Sequence, residues 1–140
     1  LEFRRVLFRS IEVLITSTDK SFLMLLSPYI SVRHHFEDKL LDREHVLSRY
    51  GIAPERLADY LALVGDRSQG IPGVPGIGAK TAAKLVAESS LHELLEADEE
   101  DQSALAKLKS QAEVALLSLA LAQLKLDVDV GVNLNECRLS

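Results

Sequence analysis

The spacing of apolar and polar residues predicts two strands and an intervening helix near the start of the chain. Residues 12–16 form a run of β-branched and aliphatic side chains, and residues 29–33 alternate apolar with polar ones. Between them, residues 17–19 are of types that cap helices, and a short helix is predicted over Ser21–Leu26. This succession is typical of an α/β layer. Two strands are too few for a stable sheet, so we expect its other strands to precede residue 1.

From residue 42 onward the pattern predicts mainly helices. Asp42 is placed to cap a helix over Arg43–Tyr50 that ends at Gly51, and Pro54 opens a helix that continues to about Val64. The remaining predicted elements are a helix over Ala79–Ala87, a helical turn over His92–Glu96, a solvated acidic run at residues 99–101, one long amphipathic helix over Gln102–Lys125 and a strand over residues 127–132.

Composition narrows the class of protein. The chain has 140 residues, of which 47% are apolar and 26% charged, so disorder throughout is excluded. No apolar run reaches the ~20 residues that span a bilayer, so no membrane association is expected. The single cysteine, Cys137, cannot form an internal disulfide, which fits a reducing compartment. Residues 1–10 carry three arginines and are interpreted either as a basic arm or, preferably, as a remnant of truncation.

The most specific feature is the loop over residues 65–78, which has five glycines and two prolines in fourteen residues. Gly76 and Gly78 predict a tight turn with positive φ. The amides of Gly78, Ala79 and Lys80 begin the next helix, lack internal partners and are suited to bind an anion. An ordinary helix corner, in which the glycines serve packing, is the alternative.

Charge favours a phosphate as that anion. Lys80 and Lys84 follow the loop, and no acid occurs between residues 67 and 87, although the whole chain has a net charge of −5. The Thr81 hydroxyl can also donate a hydrogen bond. Backbone amides and lysines position a nucleic-acid strand without reading its bases, so we predict sequence-independent phosphate binding.

The same loop could hold a monovalent cation. The carbonyls of Leu63 and Val64 end a helix and lack intrahelical partners, and those of Val74 and Ile77 lie across the turn. If they converge they form an oxygen cage, although water or loop hydrogen bonds would satisfy them equally.

Asp19 follows the first strand, where the ligands of an α/β layer gather, so it is either a metal ligand or a helix cap. The neighbouring histidines His34 and His35 are a poor metal pair because adjacent strand residues face opposite sides.

These motifs resemble a known family. The run from Leu63 to Ala82 is similar to the helix–three-turn–helix of the 5′–3′ exonuclease and flap endonuclease family, and Val13–Lys20 is similar to its strand leading into Ser-x-Asp-Lys. The likeness starts near Ile11, reaches the C-terminus and is greatest to stand-alone bacterial enzymes. It implies the end of a PIN-like parallel sheet over residues 11–41, followed by a mostly helical SAM-fold, helix–hairpin–helix domain over residues 42–140.

The resemblance also implies a set of site residues. Potassium would be bound by backbone oxygens of Leu63, Val64, Pro72, Val74 and Ile77, and DNA by Gly76, Ile77, Gly78, Ala79, Lys80 and Thr81, with Lys84 beside them. Asp19 would be one of the acids around a catalytic Mg²⁺. The family's further acids are replaced here by Ser21 and Gln69, which makes a second metal site doubtful. Its first metal-binding aspartate and its Glu-Ala-Asp-Asp segment would precede residue 1.

We therefore expect the DNA-binding part of a structure-specific 5′–3′ exonuclease or flap endonuclease. It would be a monomer of the bacterial cytoplasm, associated with the nucleoid, that acts on DNA flaps or 5′ ends in replication or repair. The part alone is expected to be inactive. The first alternative is a non-catalytic helix–hairpin–helix module. The second is a structural role in which the helix predicted over residues 102–125 binds a partner.

Overall fold

A small sheet precedes a mainly helical region in the computed structural model, which describes residues 12–97, 103–129 and 131. The strands are β1 (Val13–Thr16), β2 (Ile30–His34) and β3 (Lys39–Leu41). The α-helices are α1 (Arg43–Tyr50), α2 (Leu57–Val64), α3 (Ala79–Val86), α4 (Leu91–Glu96), α5 (Ser103–Ser110) and α6 (Ala112–Ala122). Short 3-10 helices cover Lys20–Leu25, Pro54–Arg56 and Arg67–Gln69.

The first half of the sheet follows the predicted strand–helix–strand order. β1 and β2 are parallel, with Val13 opposite Ile30 and Thr16 opposite Arg33, and the 3-10 helix over Lys20–Leu25 connects them. Asp19 comes three residues after the carboxyl end of β1 and stands at the start of that 3-10 helix.

The third strand was not predicted. β3 pairs antiparallel with β2, with Val32 opposite Leu41 and His34 opposite Lys39. The connecting turn contains Asp38 at a φ of 48°, a left-handed conformation that aspartate tolerates better than most residues. A strand of three residues is too short for an alternating pattern, so the sequence carried no clear signal for it.

The predicted ends of the helix over Arg43–Tyr50 are confirmed. The Asp42 carboxylate accepts a hydrogen bond of 2.8 Å from the His45 amide, and Gly51 ends α1 at a φ of 72°. Both features act within a few residues of the helix end, which explains why local sequence predicts them well.

The single long helix predicted over Gln102–Lys125 is wrong. The structure has α5 and α6 instead, separated at Gln111, whose φ of −125° and ψ of 30° are not helical. The apolar spacing continues across the break, with Leu108 and Ala115 both buried. The break allows α5 to pack against α4 while α6 packs against α2. The predicted strand over residues 127–132 is also absent from its described positions, 127–129 and 131.

Helix α2 lies at the centre of the core. Leu57, Leu61 and Leu63 are buried on it, and it contacts α6, α3 and the first 3-10 helix. The loop that follows α2 is attached to α6, because the Gly73 amide donates a hydrogen bond of 3.1 Å to the Ser118 hydroxyl. No helix within the described ranges is long and apolar enough to cross a membrane. Residues 1–11, 98–102, 130 and 132–140, which include the acidic run at 99–101 and Cys137, lie outside the described residues.

Candidate nucleic-acid interface and metal centre

The loop between α2 and α3 begins with two backbone segments that cross at close range. Asp66 and Ile71 exchange two backbone hydrogen bonds of 2.8 and 2.9 Å. A β-carbon on Gly65 would lie 2.7 Å from the Pro72 oxygen, and one on Gly73 would lie 2.5 Å from the Gly65 nitrogen. Both glycines also have positive φ, so the crossing requires them for conformation and for space.

The crossing brings the end of α2 close to residues 71–73, and these two segments carry most of the carbonyls considered as cation ligands. The Leu63 carbonyl accepts a hydrogen bond of 2.8 Å from the Val74 amide, and the Val74 carbonyl accepts one of 3.1 Å from the Ile77 amide. Backbone hydrogen bonds among the described residues do not end on the carbonyls of Val64, Pro72 or Ile77. Because each carbonyl oxygen has two lone pairs, all five keep at least one for a cation.

The second part of the loop is the turn into α3. Gly76 has a φ of 83°, as predicted, and a left-handed residue here favours glycine. The prediction of a positive φ at Gly78 is wrong, because its φ is −90° and its ψ is 172°, an extended conformation open to any residue. Gly78 is the N-cap of α3, and a β-carbon there would meet nothing within 4 Å. The space in front of the helix start is therefore open.

The first amides of α3 have no internal partners. No side chain among the described residues caps the helix, and the first helical hydrogen bond runs from the Ala82 amide to the Gly78 carbonyl at 2.9 Å. The amides of residues 78–81 are consequently left for water or a ligand. Gly78, Ala79 and Lys80 are exposed, so these amides are accessible.

Positive charge surrounds this helix start. Lys80 and Lys84 are exposed, lie one helical turn apart, and form no ion pair within the part of the chain that the structure describes. The opposite face of α3 buries Ala82, Leu85 and Val86, which orients the lysines outward. The arrangement combines unpaired donors with two uncompensated cations and can bind a phosphate.

Asp19 lies at a second polar cluster, which the loop helps to form. Its Oδ1 accepts hydrogen bonds from the Ser21 amide at 2.8 Å, from the Ser21 hydroxyl, and from Gln69 Nε2 at 2.7 Å. The first of these caps the 3-10 helix over Lys20–Leu25, as one of the two interpretations of Asp19 predicts. Its other oxygen accepts no hydrogen bond from the described residues and can face a cation.

Ser21 and Gln69, the two residues that replace family acids, contact each other. Gln69 Nε2 lies 2.8 Å from the Ser21 hydroxyl oxygen and 2.7 Å from Asp19 Oδ1. Two uncharged side chains thus surround Oδ1 of Asp19. Within the described residues no three His, Cys, Asp or Glu side chains come together as a metal-binding group.

An ion pair ties this cluster to the loop. Lys20 Nζ lies 2.6 Å from Asp66 Oδ2, and the Asp66 side chain is only 5% exposed. Its Oδ1 accepts hydrogen bonds from the Ser68 amide at 3.0 Å and the Ser68 hydroxyl at 2.7 Å. Burial alone would raise the pKa of Asp66, but the hydrogen bonds from Lys20 and Ser68 outweigh burial and the pKa is lowered. Asp66 therefore stays ionised and fixes the start of the loop beside Asp19.

The helix, loop and helix with their exposed amides are the arrangement that the sequence resemblance implied. A family model described as the 5′–3′ exonuclease C-terminal SAM fold matches residues 52–140. The chain belongs to the 5′–3′ exonuclease family. The family match includes the whole loop, α3 and the helices after it, and it confirms the predicted fold class.

Individual relatives agree with this assignment. A flap endonuclease Xni of Colwellia psychrerythraea is 42% identical over 130 residues, which cover 92% of this chain and 45% of the relative. A flap endonuclease Xni of Yersinia enterocolitica is 40% identical over 131 residues, which cover 92% of this chain and 52% of the relative. The chain thus spans about half the length of these curated relatives, and the predicted likeness to bacterial enzymes of the family is confirmed.

Solved structures show the same fold. A T5 5′-exonuclease with bound zinc has a TM-score of 0.70 at 22% identity, covering 79% of this chain and 42% of that one. A complex of the bacteriophage T5 D15 flap endonuclease with DNA and metal ions has a TM-score of 0.69, also at 22% identity, with the same coverage of both chains. At this identity the likeness concerns the fold alone.

The fold gathers most of the site residues expected of this family. The predicted DNA-binding residues lie on the turn before α3 and on its first two turns, and the predicted potassium ligands lie at the end of α2 and on the loop that follows it. Asp19 is outside this loop but is joined to it by Gln69, fifty residues away in sequence. His34 and His35 do not join either cluster. His34 Nδ1 accepts a hydrogen bond from the Glu37 amide at 3.3 Å, and His35 packs edge-on against Phe36.

Two residues near the loop were missed by the sequence analysis. Lys107 of α5 lies against Gly76, with Nζ 2.9 Å from the position of the missing β-carbon. Gln111, at the break between α5 and α6, donates a hydrogen bond of 3.3 Å to the Pro75 carbonyl. Both are more than thirty residues from the turn in sequence and follow no local motif, so nothing in the one-dimensional pattern identifies them.

Proposed function

We propose that this chain is the DNA-binding part of a structure-specific 5′–3′ exonuclease or flap endonuclease that hydrolyses DNA phosphodiesters. The observation that carries the proposal is the open start of α3, where the exposed amides of Gly78, Ala79 and Lys80 have no hydrogen-bond partner among the described residues. The two lysines beside them form no ion pair with the residues that the structure describes. Donors of this kind bind phosphate oxygens in any sequence. Its relatives are named flap endonucleases, which fits flaps or 5′ ends as substrates.

Potassium is proposed to assist DNA binding through the loop. The carbonyls of Leu63, Val64, Pro72, Val74 and Ile77 supply neutral oxygens, which suit a weakly hydrated monovalent cation. The close crossing at Gly65 and Gly73 supports this assignment because it holds the two carbonyl-bearing segments together. A cation there would add positive charge behind the turn that faces the phosphate.

Magnesium is proposed as the catalytic metal, with Asp19 among its ligands. When bound, it supplies an activated water and neutralises charge on the reacting phosphate. Asp19 fits this role with one oxygen, since Gln69 and Ser21 hold the other. Mg²⁺ is usually bound by one or two carboxylates together with water and substrate phosphates, and we propose that other acids of the full-length protein complete the site. Ser21 and Gln69 supply no negative charge, which supports one metal rather than two.

We propose the same two domains that the sequence predicts. Residues 11–41 would belong to the nuclease α/β layer and residues 42–140 to the helical DNA-binding domain. The full-length protein is proposed to be a monomer in the bacterial cytoplasm, associated with the nucleoid and acting in replication or repair.

Removing Lys80 and Lys84 tests DNA binding by the hairpin, which is the turn at residues 76–78 with the start of α3. We expect Lys80→Ala combined with Lys84→Ala to weaken binding of all DNA sequences alike and to lower the salt slope of log K by about 1 to 2. The measurement is fluorescence anisotropy of a labelled 5′-flap duplex at several potassium chloride concentrations. The matched control is Lys39→Ala with Lys125→Ala, which removes equal charge elsewhere. An affinity unchanged from the parent chain, or an equal loss in the control, would contradict the hairpin assignment.

A non-catalytic DNA-binding module is the second candidate. It is favoured by the cluster at Asp19, where donors from Ser21 and Gln69 replace two acids. The full-length gene product distinguishes the candidates when it is incubated with a 5′-flap substrate and magnesium. Cleavage that stops on addition of EDTA selects the nuclease, whereas binding without cleavage selects the module.

A partner-binding role for the C-terminal helices is the third candidate. The side chains of Leu116, Leu117 and Leu121 on α6 are 39%, 57% and 54% exposed. This candidate predicts oligomers in light scattering and no affinity for DNA, whereas the nuclease proposal predicts a monomer that binds DNA.

A further inference from the structure

Helix α5 places a lysine directly on the turn that precedes α3. Nζ of Lys107 lies 2.9 Å, and its Cδ 3.1 Å, from where a β-carbon on Gly76 would be. The absence of a side chain at Gly76 therefore leaves the room that the end of Lys107 fills. Lys107 is exposed and forms no ion pair with any carboxylate in the described part of the chain.

The packing of α5 keeps this contact in place. Leu105 and Leu108, on either side of Lys107, are buried in the core. Three residues beyond Leu108, the Gln111 side chain donates a hydrogen bond to the Pro75 carbonyl. The residue after α5 is thus hydrogen-bonded to the same turn that Lys107 covers. The backbone of α5 that carries Lys107 is therefore held next to this turn.

A cleft lies between α3 and the start of α5. It has a volume of about 750 Å³, and its walls include Thr81 and Lys84 from α3 and Ser103 and Ala104 from α5. Lys107 lies one helical turn after Ser103, on the same side of α5. Glu88 also lines the cleft, so its negative charge offsets the positive charge of Lys84 there.

We propose that Lys107 is a further phosphate-binding residue of the DNA interface. The inference rests on the proposed function and extends it. The DNA backbone is held from two sides, by the amides and lysines at the start of α3 and by the Lys107 ammonium group above Gly76. A lysine contact to phosphate adds affinity and salt dependence but no base specificity.

The test compares two lysines of one helix. Lys107→Ala is expected to weaken binding of a labelled 5′-flap duplex by about three- to tenfold at low salt and to lower the salt slope by about 1. Lys109→Ala is the matched control, because its ammonium group bonds the Ala97 carbonyl instead. The control is expected to keep the salt slope. Lys107→Arg, which keeps the charge, is expected to keep it as well.

The outcomes separate this proposal from the proposed function. If Lys107→Ala changes binding no more than Lys109→Ala, while the Lys80 and Lys84 variant weakens it, the role of Lys107 is overturned and the hairpin stands. If none of these variants weakens binding, the proposed function fails as well. Circular dichroism shows whether each variant is folded. If Lys107→Ala is unfolded, the binding of Lys107→Gln decides instead, because this variant keeps an aliphatic stem over Gly76 and loses only the charge.

Discussion

Replacing Gly73 by alanine tests whether the close backbone crossing, and not conformation alone, requires glycine in the loop. A β-carbon at Gly73 would lie 2.5 Å from the nitrogen of Gly65 and 2.6 Å from the carbonyl carbon of Val64, and its φ is 72°. Because these atoms are backbone, they cannot turn aside as the end of a side chain can. Gly70 is the matched control, since its φ is 70° and nothing lies within 4 Å of its β-carbon position.

The structure separates the two contributions to the cost. An alanine in the left-handed region costs about 1–2 kcal/mol, and this is the whole loss expected for Gly70→Ala. Overpacking against fixed atoms adds about 1–3 kcal/mol, so Gly73→Ala is expected to lose about 2–5 kcal/mol. The difference between the two variants, about 1–3 kcal/mol, measures the crossing itself.

Urea unfolding followed by circular dichroism gives both free energies of unfolding, provided that the variants share one m-value. Equal losses in Gly73→Ala and Gly70→Ala would refute the reasoning, because the backbone contact would then cost nothing. A total free energy of unfolding of about 5–15 kcal/mol is typical of a domain, so the loss in Gly73→Ala can be large enough to prevent folding. If Gly73→Ala fails to fold while Gly70→Ala folds, that result also supports a cost from the backbone crossing. Gly78→Ala, with its extended backbone and open surroundings, is expected to remain close to the parent.

Two further substitutions test the contacts that hold the loop. Asp66→Asn keeps an acceptor for Ser68 but loses the ion pair with Lys20, so we expect a loss of about 1.5–3 kcal/mol at neutral pH. Since the pKa of Asp66 is lowered on folding, its contribution is complete above the ordinary carboxyl pKa and is lost as the pH falls through the folded value. The difference in free energy of unfolding between the parent chain and Asp66→Asn, measured with urea, should therefore shrink towards acid pH. A difference that stays constant with pH would contradict the pKa argument. Ser118→Ala removes the acceptor of the Gly73 amide inside the core and should cost about 1–3 kcal/mol in the same assay. No change would mean that the amide finds another acceptor.

Local features of this chain were predicted well because their causes lie within a few residues. The Asp42 cap, the Gly51 end of α1 and the Asp19 cap each depend on neighbours no more than four positions away. The loop rich in glycine was located for the same reason, since left-handed turns at Gly65 and Gly76 need glycine whatever surrounds them. The sequence thus determined where these particular elements begin or end and where the unpaired amides at the start of α3 would occur.

Contacts between distant parts of the chain decided the rest. The break at Gln111 follows from packing α5 on α4 and α6 on α2, which apolar spacing alone does not encode. Gln69 reaches Asp19, and Lys107 reaches Gly76, only after the core has closed around α2. Such contacts depend on how buried surfaces fit together, so they appear in the tertiary structure and have no signature in the order of residues.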